Sequence, residues 1–215
     1  MNNTLRFPRG LYGVSPEWED TQRMLDAIDA AAAGGMKAFQ WRRKTATPEQ
    51  GVEQARQVVE RCRELRVISI INDDWRLAAL VNADGVHLGR DDGSLAEARV
   101  ALGPDRIIGC SCYNEPALAE RALLADVDYV AFGAVYPSSV KPEAVRATLD
   151  HLRIARARVE AIEAPRPAVV AIGGITPDNA RPIVEAGADS IAVISGVFLA
   201  PDIEAAARRC AELFT

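Results

Sequence analysis

Two acidic clusters follow apolar runs that lie close together in the sequence. The run Val67–Ile71 is followed by NDD at residues 72–74, and the run Val86–Leu88 by GRDD at residues 89–92. If both runs are neighbouring parallel strands, their carboxyl ends meet at one edge of a sheet. Paired carboxylates at that edge suit Mg²⁺, which prefers oxygen ligands and keeps waters that an anionic substrate can replace. Asp73 and Asp92 are therefore the candidate metal ligands.

The remaining acidic and imidazole groups nearby have simpler interpretations. Asp74 and Asp91 are predicted to cap the helices that follow their strands. His87 lies inside an apolar run, where a lone histidine is more often a hydrogen-bonded core residue than a zinc ligand.

Basic and amide side chains follow another apolar run, at Gln40-Trp41-Arg42-Arg43-Lys44. Alternation along a strand puts Gln40, Arg42 and Lys44 on one side. An amide, a guanidinium and an ammonium group aimed together form a clamp for a diphosphate. The alternative is a solvated basic loop, and the two acidic clusters favour the binding site.

Glycine and serine follow the last two apolar runs. Gly173-Gly174 and Ser195-Gly196 are typical of the loops with which a barrel binds phosphate, although tight turns alone would also use glycine. The loop at residues 133–142 carries small hydroxyl groups and a lysine, and it is either a lid over a substrate or an ordinary surface turn.

Apolar runs alternate with amphipathic ones along the whole chain, and small or turn-forming pairs at residues 34–35, 83–84, 127–128 and 188–189 precede every second run. The pattern predicts an α/β protein of one domain over residues 1–215, a single (β/α)8 TIM barrel, with an open doubly wound sheet as the alternative. The predicted strands are Leu11–Val14, Ala38–Trp41, Ile68–Ile71, Gly85–Leu88, Ile107–Ser111, Tyr129–Phe132, Ala168–Ile172 and Ser190–Ile194. The predicted helices are Thr21–Ala33, Pro48–Leu65, Leu95–Leu102, Pro116–Ala125, Ala147–Ala161, Pro177–Ala186 and Ile203–Phe214.

Composition narrows the function classes. The chain has 49% hydrophobic residues and a net charge of −5, and no basic stripe indicates a nucleic-acid surface. It lacks the apolar stretch of a signal peptide and any run long enough to span a membrane, so a cytoplasmic location is expected. The four cysteines form no C-x-x-C pair and are expected to be reduced thiols.

Taken in order, these motifs resemble the thiamine phosphate synthase family from Leu11 to about Phe198. The matching segments are Q-x-R-x-K at residues 40–44, ND at 72–73, DGVHLG at 84–89 with DD at 91–92, AIGGI at 171–175 and IS at 194–195. The resemblance implies a (β/α)8 barrel and a Mg²⁺-dependent transferase. Such an enzyme joins 4-amino-2-methyl-5-hydroxymethylpyrimidine diphosphate to a thiazole phosphate by a dissociative route, giving thiamine phosphate and pyrophosphate.

The resemblance also implies roles for individual residues and partners. It implies two small-molecule substrates, no nucleic-acid or membrane partner, and is compatible with a homodimer. The pyrimidine diphosphate would contact Gln40, Arg42, Lys44, Asn72, Ser111 and Lys141, the thiazole phosphate would contact Ser138, Gly174, Ile194 and Ser195, and Mg²⁺ would bind Asp73 and Asp92. The catalytic residues would be Arg42, Lys44, Ser111 and Lys141.

The sequence departs from the family pattern at several rim positions. Tyr113 stands where the family has histidine, and Arg90 where glutamine is common. The loop after the sixth strand begins Gly133-Ala134 where the family has Gly-Pro, and Val140 replaces a threonine, so that a hydroxyl contact is lost or supplied by Ser139.

Two other functions compete with the synthase. A thiazole tautomerase on the same fold needs the phosphate loops but neither a diphosphate clamp nor Mg²⁺, so Arg42, Lys44, Asp73 and Asp92 favour the synthase. A catalytically silent barrel that binds a phosphorylated ligand would be consistent with the departures in the loops.

Overall fold

The strands form a closed barrel in chain order. The computed structural model describes residues 4–45, 47–137 and 145–215. Eight strands pair in parallel, each with the next, and the eighth pairs with the first. The predicted TIM barrel is confirmed, and the open doubly wound sheet was the wrong alternative.

Helices follow the strands and cover the outside of the barrel. The strands are β1 Gly10–Val14, β2 Ala38–Trp41, β3 Ile68–Asn72, β4 Gly85–Leu88, β5 Ile107–Tyr113, β6 Tyr129–Phe132, β7 Ala168–Ile172 and β8 Ser190–Val193. The helices are α1 Thr21–Ala33, α2 Pro48–Leu65, α3 Trp75–Leu80, α4 Leu95–Leu102, α5 Pro116–Leu124, α6 Leu149–Glu160, α7 Arg181–Glu185, α8 Ser195–Phe198 and α9 Ile203–Ala211, with a 3₁₀ turn at Glu212–Phe214.

The predicted start of α7 was wrong. The Thr176-Pro177 pair resembles a helix start, but the helix begins at Arg181. The amide side chain of Asn179 holds a turn instead: its oxygen accepts the Thr176 N–H at 2.8 Å, and its nitrogen donates to the Gly174 carbonyl at 2.9 Å. These bonds commit the backbone to a loop beside β7, and the helix starts only after it.

The two predicted aspartate caps had different outcomes. Asp74 caps α3, because its carboxylate accepts the N–H groups of Arg76 and Leu77. Asp91 does not cap α4, since Ser94 takes that position and accepts from Glu97. The loop after β4 is therefore longer than the cap prediction implied.

The barrel encloses a small core of its own, separate from the larger core between strands and helices. Phe7, which precedes β1, packs inside against Tyr129, with ring centroids 4.3 Å apart, and against Tyr12 at 5.0 Å. These buried rings fill the amino-terminal part of the interior. The carboxyl-terminal part is left open for a cavity.

Three aspartates at the amino-terminal end of the barrel share one arrangement, and we call Asp84, Asp128 and Asp189 the base carboxylates. Each immediately precedes an even-numbered strand and accepts a backbone N–H from the second residue of the preceding strand. The donors are Ser69, Ile108 and Val169, at 2.8, 2.8 and 2.9 Å. Three of the residue pairs that precede even-numbered strands, at 83–84, 127–128 and 188–189, thus contain an aspartate that is hydrogen bonded to the preceding strand.

Side chains complete the coordination of the base carboxylates. Asp189 receives a bidentate pair from Arg166, both N–O distances being 2.9 Å, and a further bond from Arg156. Arg166 and Asp189 are 2% and 1% exposed, so this charge pair is buried. Arg99 Nη2 donates a single hydrogen bond to Asp128 Oδ2 at 2.7 Å.

Among the helices of residues 4–45, 47–137 and 145–215, none is both long and apolar enough to cross a membrane.

Candidate active site

A cavity of about 340 Å³ opens at the carboxyl-terminal ends of the strands. It brings together every candidate site residue that the structure describes. These are Gln40, Arg42, Lys44, Asn72, Asp73, Asp92, Ser111, Gly174, Ile194 and Ser195. Ser138 and Lys141 lie outside the described residues, as do Ser139 and Val140.

The two candidate metal ligands, Asp73 and Asp92, lie next to each other on this rim. The Lys44 ammonium is 2.9 Å from Asp73 Oδ2, and Asp92 is close enough to Asp73 for each carboxyl group to shift the pKa of the other. Asp92 Oδ2 accepts the Gly89 N–H at 2.7 Å. Asp73 has a φ of 65°, a left-handed conformation that non-glycine residues seldom adopt and that often marks functional positions. The sequence therefore folds to hold two carboxylates and one ammonium in contact.

Their proximity separates the titration of the two carboxyl groups. Burial raises the pKa of Asp92, and the neighbouring Asp73 raises it further. Burial also acts to raise the pKa of Asp73, but hydrogen bonds with Lys44 and Asp92 outweigh it, so the net shift is downward. Two carboxylates that resist simultaneous ionisation form a site that a cation would stabilise.

The donors at this rim suit Mg²⁺. A magnesium ion is commonly held by one or two carboxylates, with waters and substrate phosphates completing its octahedron. Asp73 and Asp92 supply that number of hard oxygen ligands. In the described ranges, no three His, Cys, Asp or Glu side chains form a group that could hold a metal ion.

The basic side chains of the clamp are paired with a residue that the sequence analysis missed. Glu17, in the loop after β1, accepts from Arg42 Nη1 at 2.9 Å and from the Lys44 backbone N–H at 3.1 Å. Parallel pairing of β1 with β2 brings Glu17 to the clamp. No local sequence signal identifies Glu17, because the contact spans more than 20 positions.

The opposite wall of the cavity contains the turn after β7. Gly174 has a φ of 63°, and a side chain there would collide with the carbonyl of Pro137. Glycine at 174 therefore permits both the turn and the close approach of the two loops. Ile194 and Ser195 lie beside it on the same wall, where α8 begins directly after β8.

Two departures from the family pattern contact each other at the rim. The Arg90 guanidinium lies 5.1 Å from the centroid of the Tyr113 ring and also forms an ion pair with Glu115. The Arg90 N–H is 3.4 Å from the Tyr113 hydroxyl. Arg90 and Tyr113 thus replace the expected glutamine and histidine as one unit on the cavity wall.

Tyr12 and His87 line the cavity and Tyr129 is buried beside them; no role was predicted for the two tyrosines. His87 Nε2 is 2.8 Å from Ser111 Oγ, and Nδ1 is 3.0 Å from the Tyr129 hydroxyl. Burial lowers the pKa of His87 to about 4, partly opposed by Asp73, so His87 is neutral near pH 7. It has the hydrogen-bonded core position expected of it.

Comparison with known proteins agrees with this geometry. A family model described as thiamine monophosphate synthase matches residues 11–197. The chain is 58% identical to the thiamine-phosphate synthase of Bordetella pertussis (strain Tohama I), covering 99% of this chain and 98% of that one. It is 51% identical to the thiamine-phosphate synthase of Methylobacillus flagellatus, covering 96% and 95%.

A solved structure agrees as well. The thiamine phosphate pyrophosphorylase from Pyrococcus furiosus superposes with a TM-score of 0.82 at 32% identity, covering 97% of this chain and 96% of that one. Matches over this share of each chain, at these identities, show the family. The chain belongs to the thiamine monophosphate synthase family of transferases.

Proposed function

We propose that this enzyme joins 4-amino-2-methyl-5-hydroxymethylpyrimidine diphosphate to a thiazole phosphate and releases pyrophosphate. The observation that carries the proposal is one cavity with two walls whose groups are suited to anions. One wall combines cationic side chains with paired carboxylates, and the other combines glycine backbone with Ser195. Two phosphorylated substrates can therefore meet within a single site.

The clamp wall is suited to the diphosphate. Arg42 and Lys44 are paired with Glu17 and Asp73 respectively, so both cations are held at the cavity before any substrate arrives. A diphosphate carries more negative charge than either carboxylate and would draw the two cations toward itself. Gln40 and Asn72 line the same wall and would contact the pyrimidine diphosphate.

Asp73 and Asp92 would hold Mg²⁺ in this site. Bound Mg²⁺ supplies positive charge that stabilises a departing diphosphate. Arg42 and Lys44 supply further charge from the protein, and Lys44 also keeps the Asp73 carboxylate in place through their 2.9 Å contact.

The opposite wall would bind the thiazole phosphate. Gly174, Ile194 and Ser195 line it, and the left-handed turn at Gly174 allows an anion to approach the backbone. Ser138 and Lys141 would contact the thiazole and the diphosphate from the loop after β6, outside the described residues.

The chemistry requires charge stabilisation more than a protein nucleophile. In the proposed dissociative route, the bond between the pyrimidine methylene carbon and the diphosphate oxygen breaks, and the electron pair leaves with the diphosphate. The thiazole nitrogen then donates its lone pair to the methylene cation and forms the new C–N bond. Ser111 would orient the pyrimidine, while Arg42, Lys44 and Lys141 would stabilise the leaving group.

Product formation tests the proposal. The purified protein is incubated with both phosphorylated substrates and MgCl₂, and thiamine phosphate is quantified after oxidation to its fluorescent thiochrome derivative. We expect stoichiometric thiamine phosphate and pyrophosphate. No product with excess metal would contradict the proposed reaction.

Isotope exchange tests the route separately. Pyrimidine diphosphate is labelled with ¹⁸O at the diphosphate oxygen that is bonded to the methylene carbon. It is incubated with the enzyme and an unreactive thiazole phosphate analogue. Reversible bond cleavage would scramble the label into non-bridging positions of the recovered substrate. Recovery of unscrambled substrate from an active enzyme would contradict the dissociative step while leaving the overall reaction intact.

A further inference from the structure

Five polar side chains form a continuous chain of hydrogen bonds across the barrel interior. Gln40 Nε2 is 2.6 Å from the Tyr12 hydroxyl, which is 2.9 Å from the Tyr129 hydroxyl. Tyr129 is 3.0 Å from His87 Nδ1, and His87 Nε2 is 2.8 Å from Ser111 Oγ. We call Tyr12, Tyr129 and His87 the interior relay. Gln40 and Ser111, which are hydrogen bonded to the two ends of the interior relay, are residues proposed to contact the pyrimidine.

The middle of the interior relay is buried and rigid. Tyr129 is 0% exposed, and unlike Tyr12 and His87 it is absent from the cavity wall. Its ring stacks on His87 with an interplanar angle of 15°, and any side chain at Gly109 would collide with that ring. Tyr129 can therefore act on a ligand only through its neighbours.

Proton positions in the interior relay are interdependent. The nitrogen of the Gln40 amide can only donate, so the Tyr12 oxygen accepts from it. Within the described part of the chain, Tyr129 is the other hydrogen-bond partner of the Tyr12 hydroxyl, so the single Tyr12 hydrogen goes to the Tyr129 oxygen. Tyr129 then donates to His87 Nδ1.

The same logic fixes the other end. Because His87 Nδ1 accepts from Tyr129, the imidazole hydrogen is on Nε2, which donates to Ser111 Oγ. The Ser111 hydrogen is then free to point into the cavity. At the opposite end, the Gln40 amide oxygen is left free to accept, because its nitrogen is engaged by Tyr12.

We propose that Tyr12, Tyr129 and His87 are positioning residues that fix Gln40 as an acceptor and Ser111 as a donor toward the substrate ring. The inference rests on the proposed function and extends it to substrate specificity. A 4-aminopyrimidine offers an N–H to an acceptor and a ring nitrogen to a donor. The corresponding 4-oxo ring presents an oxygen to Gln40, so that two acceptors would face each other.

The first test reads the tautomer of His87 directly. The chain has two histidines, so ¹⁵N NMR of the uniformly labelled protein near pH 7.5, with His151→Gln for assignment, gives both His87 nitrogen shifts. We expect the Nε2–H tautomer, with Nδ1 as an acceptor. An Nδ1–H tautomer, or a rapidly averaged mixture, would overturn the proposal.

The second test breaks the interior relay at its centre. Tyr129→Phe keeps the buried ring and removes only the hydroxyl group. Calorimetric titration with the 4-amino pyrimidine monophosphate and its 4-oxo analogue gives the affinity ratio for each protein. We expect the wild-type protein to favour the amino ring by at least about tenfold, and Tyr129→Phe to reduce that preference several-fold. An unchanged ratio would overturn the proposal.

A matched control separates the interior relay from general structural loss. Tyr136→Phe also removes a half-buried phenol hydroxyl, one that donates to the Asn179 carbonyl at 3.0 Å away from the interior relay. Its affinity ratio is expected to equal that of the wild-type protein. The tautomer is read without substrate, so a wrong relay and a wrong reaction are distinguishable: the second would leave the Nε2–H signal intact and yield no thiamine phosphate.

Discussion

Carboxylates are treated in opposite ways at the two ends of this barrel. At the amino-terminal end, each base carboxylate accepts a backbone N–H and further bonds from serine or arginine side chains. At the carboxyl-terminal end, Asp73 and Asp92 are crowded against each other, with Lys44 as their principal cation. Fully compensated carboxylates stabilise the fold, while crowded ones retain capacity for a ligand.

Positive φ values occur at both ends of the barrel. Arg66, Asn82 and Asp126 adopt them in the connections that lead into β3, β4 and β6, and Asp73 and Tyr113 adopt them at the carboxyl ends of β3 and β5. Asp73 and Tyr113 line the cavity, so there the left-handed conformation is held where a ligand would bind.

The largest effect is expected from breaking the compensated end. Asp189→Asn leaves the buried Arg166 guanidinium without its charge partner, because both N–O contacts of 2.9 Å depend on the carboxylate. The free energy of unfolding should fall by about 3–5 kcal/mol, as measured by urea denaturation. Ser69→Ala, which removes one neutral hydroxyl from Asp84, is the mild control, with an expected loss of about 1 kcal/mol. Equal stability of Asp189→Asn and the wild-type protein would contradict the structural role.

Substitution at the carboxyl-terminal end should lower turnover and leave the stability nearly unchanged. Asp92→Asn removes a proposed metal ligand, so turnover should fall at least about 100-fold. Its free energy of unfolding should stay within about 1 kcal/mol of the wild-type value or rise, because burial and the neighbouring Asp73, which raise the pKa of Asp92, both disfavour a charge at this position. Steady-state kinetics and urea denaturation of the same preparation check both parts. A variant that loses stability but retains turnover would reverse the assignment of the two ends.

His87, between the two ends, should contribute a pH-dependent stability. Burial lowers its pKa from 6.5 to about 4, so between those pH values the unfolded chain binds a proton that the folded chain does not. Stability attributable to neutral His87 is present above pH 6.5 and is lost as the pH falls toward 4. The loss should be roughly 3 kcal/mol.

Comparing the wild-type protein with His87→Gln isolates the contribution of His87 to the pH dependence of stability. Denaturation in metal-free buffer from pH 7.5 to 4 should give a shallower pH dependence for the variant, because glutamine does not titrate. Parallel curves for the two proteins would show that His87 binds a proton equally well in the folded and the unfolded chain, which would contradict the lowered pKa.

The sequence was sufficient for those parts of the fold that depend on local patterns. Apolar runs located every strand, and β2, β4, β6 and β7 have the predicted bounds. The start of α7 was missed because the side chain of Asn179 stabilises a turn where a Thr-Pro pair is typical of a helix start. Asp91 was wrongly assigned a cap, although the predicted start at Leu95 and Glu97 three residues after Ser94 both favour Ser94 as the cap.

The sequence predicted only those residues of the site that lie at or near the ends of strands. The alternation at Gln40, Arg42 and Lys44 and the acidic clusters depend on neighbouring residues, so pattern and resemblance identify them. Glu17 depends on the pairing of β1 with β2, and the contact between Tyr12 and Tyr129, across 117 positions, depends on closure of the barrel. Hydrogen-bonded pairs of this kind have no periodic signature in a single sequence.

The dependence of turnover on Mg²⁺ tests the central claim most directly, namely that the crowded carboxylates hold the metal that the reaction needs. Initial rates of thiamine phosphate formation are measured across MgCl₂ concentrations for the wild-type protein, Asp92→Asn and the Ser69→Ala control. We predict saturable activation that EDTA abolishes, the same curve for Ser69→Ala, and a much higher half-saturating concentration for Asp92→Asn. Metal-independent turnover, or the same Mg²⁺ dependence in Asp92→Asn, would contradict the account.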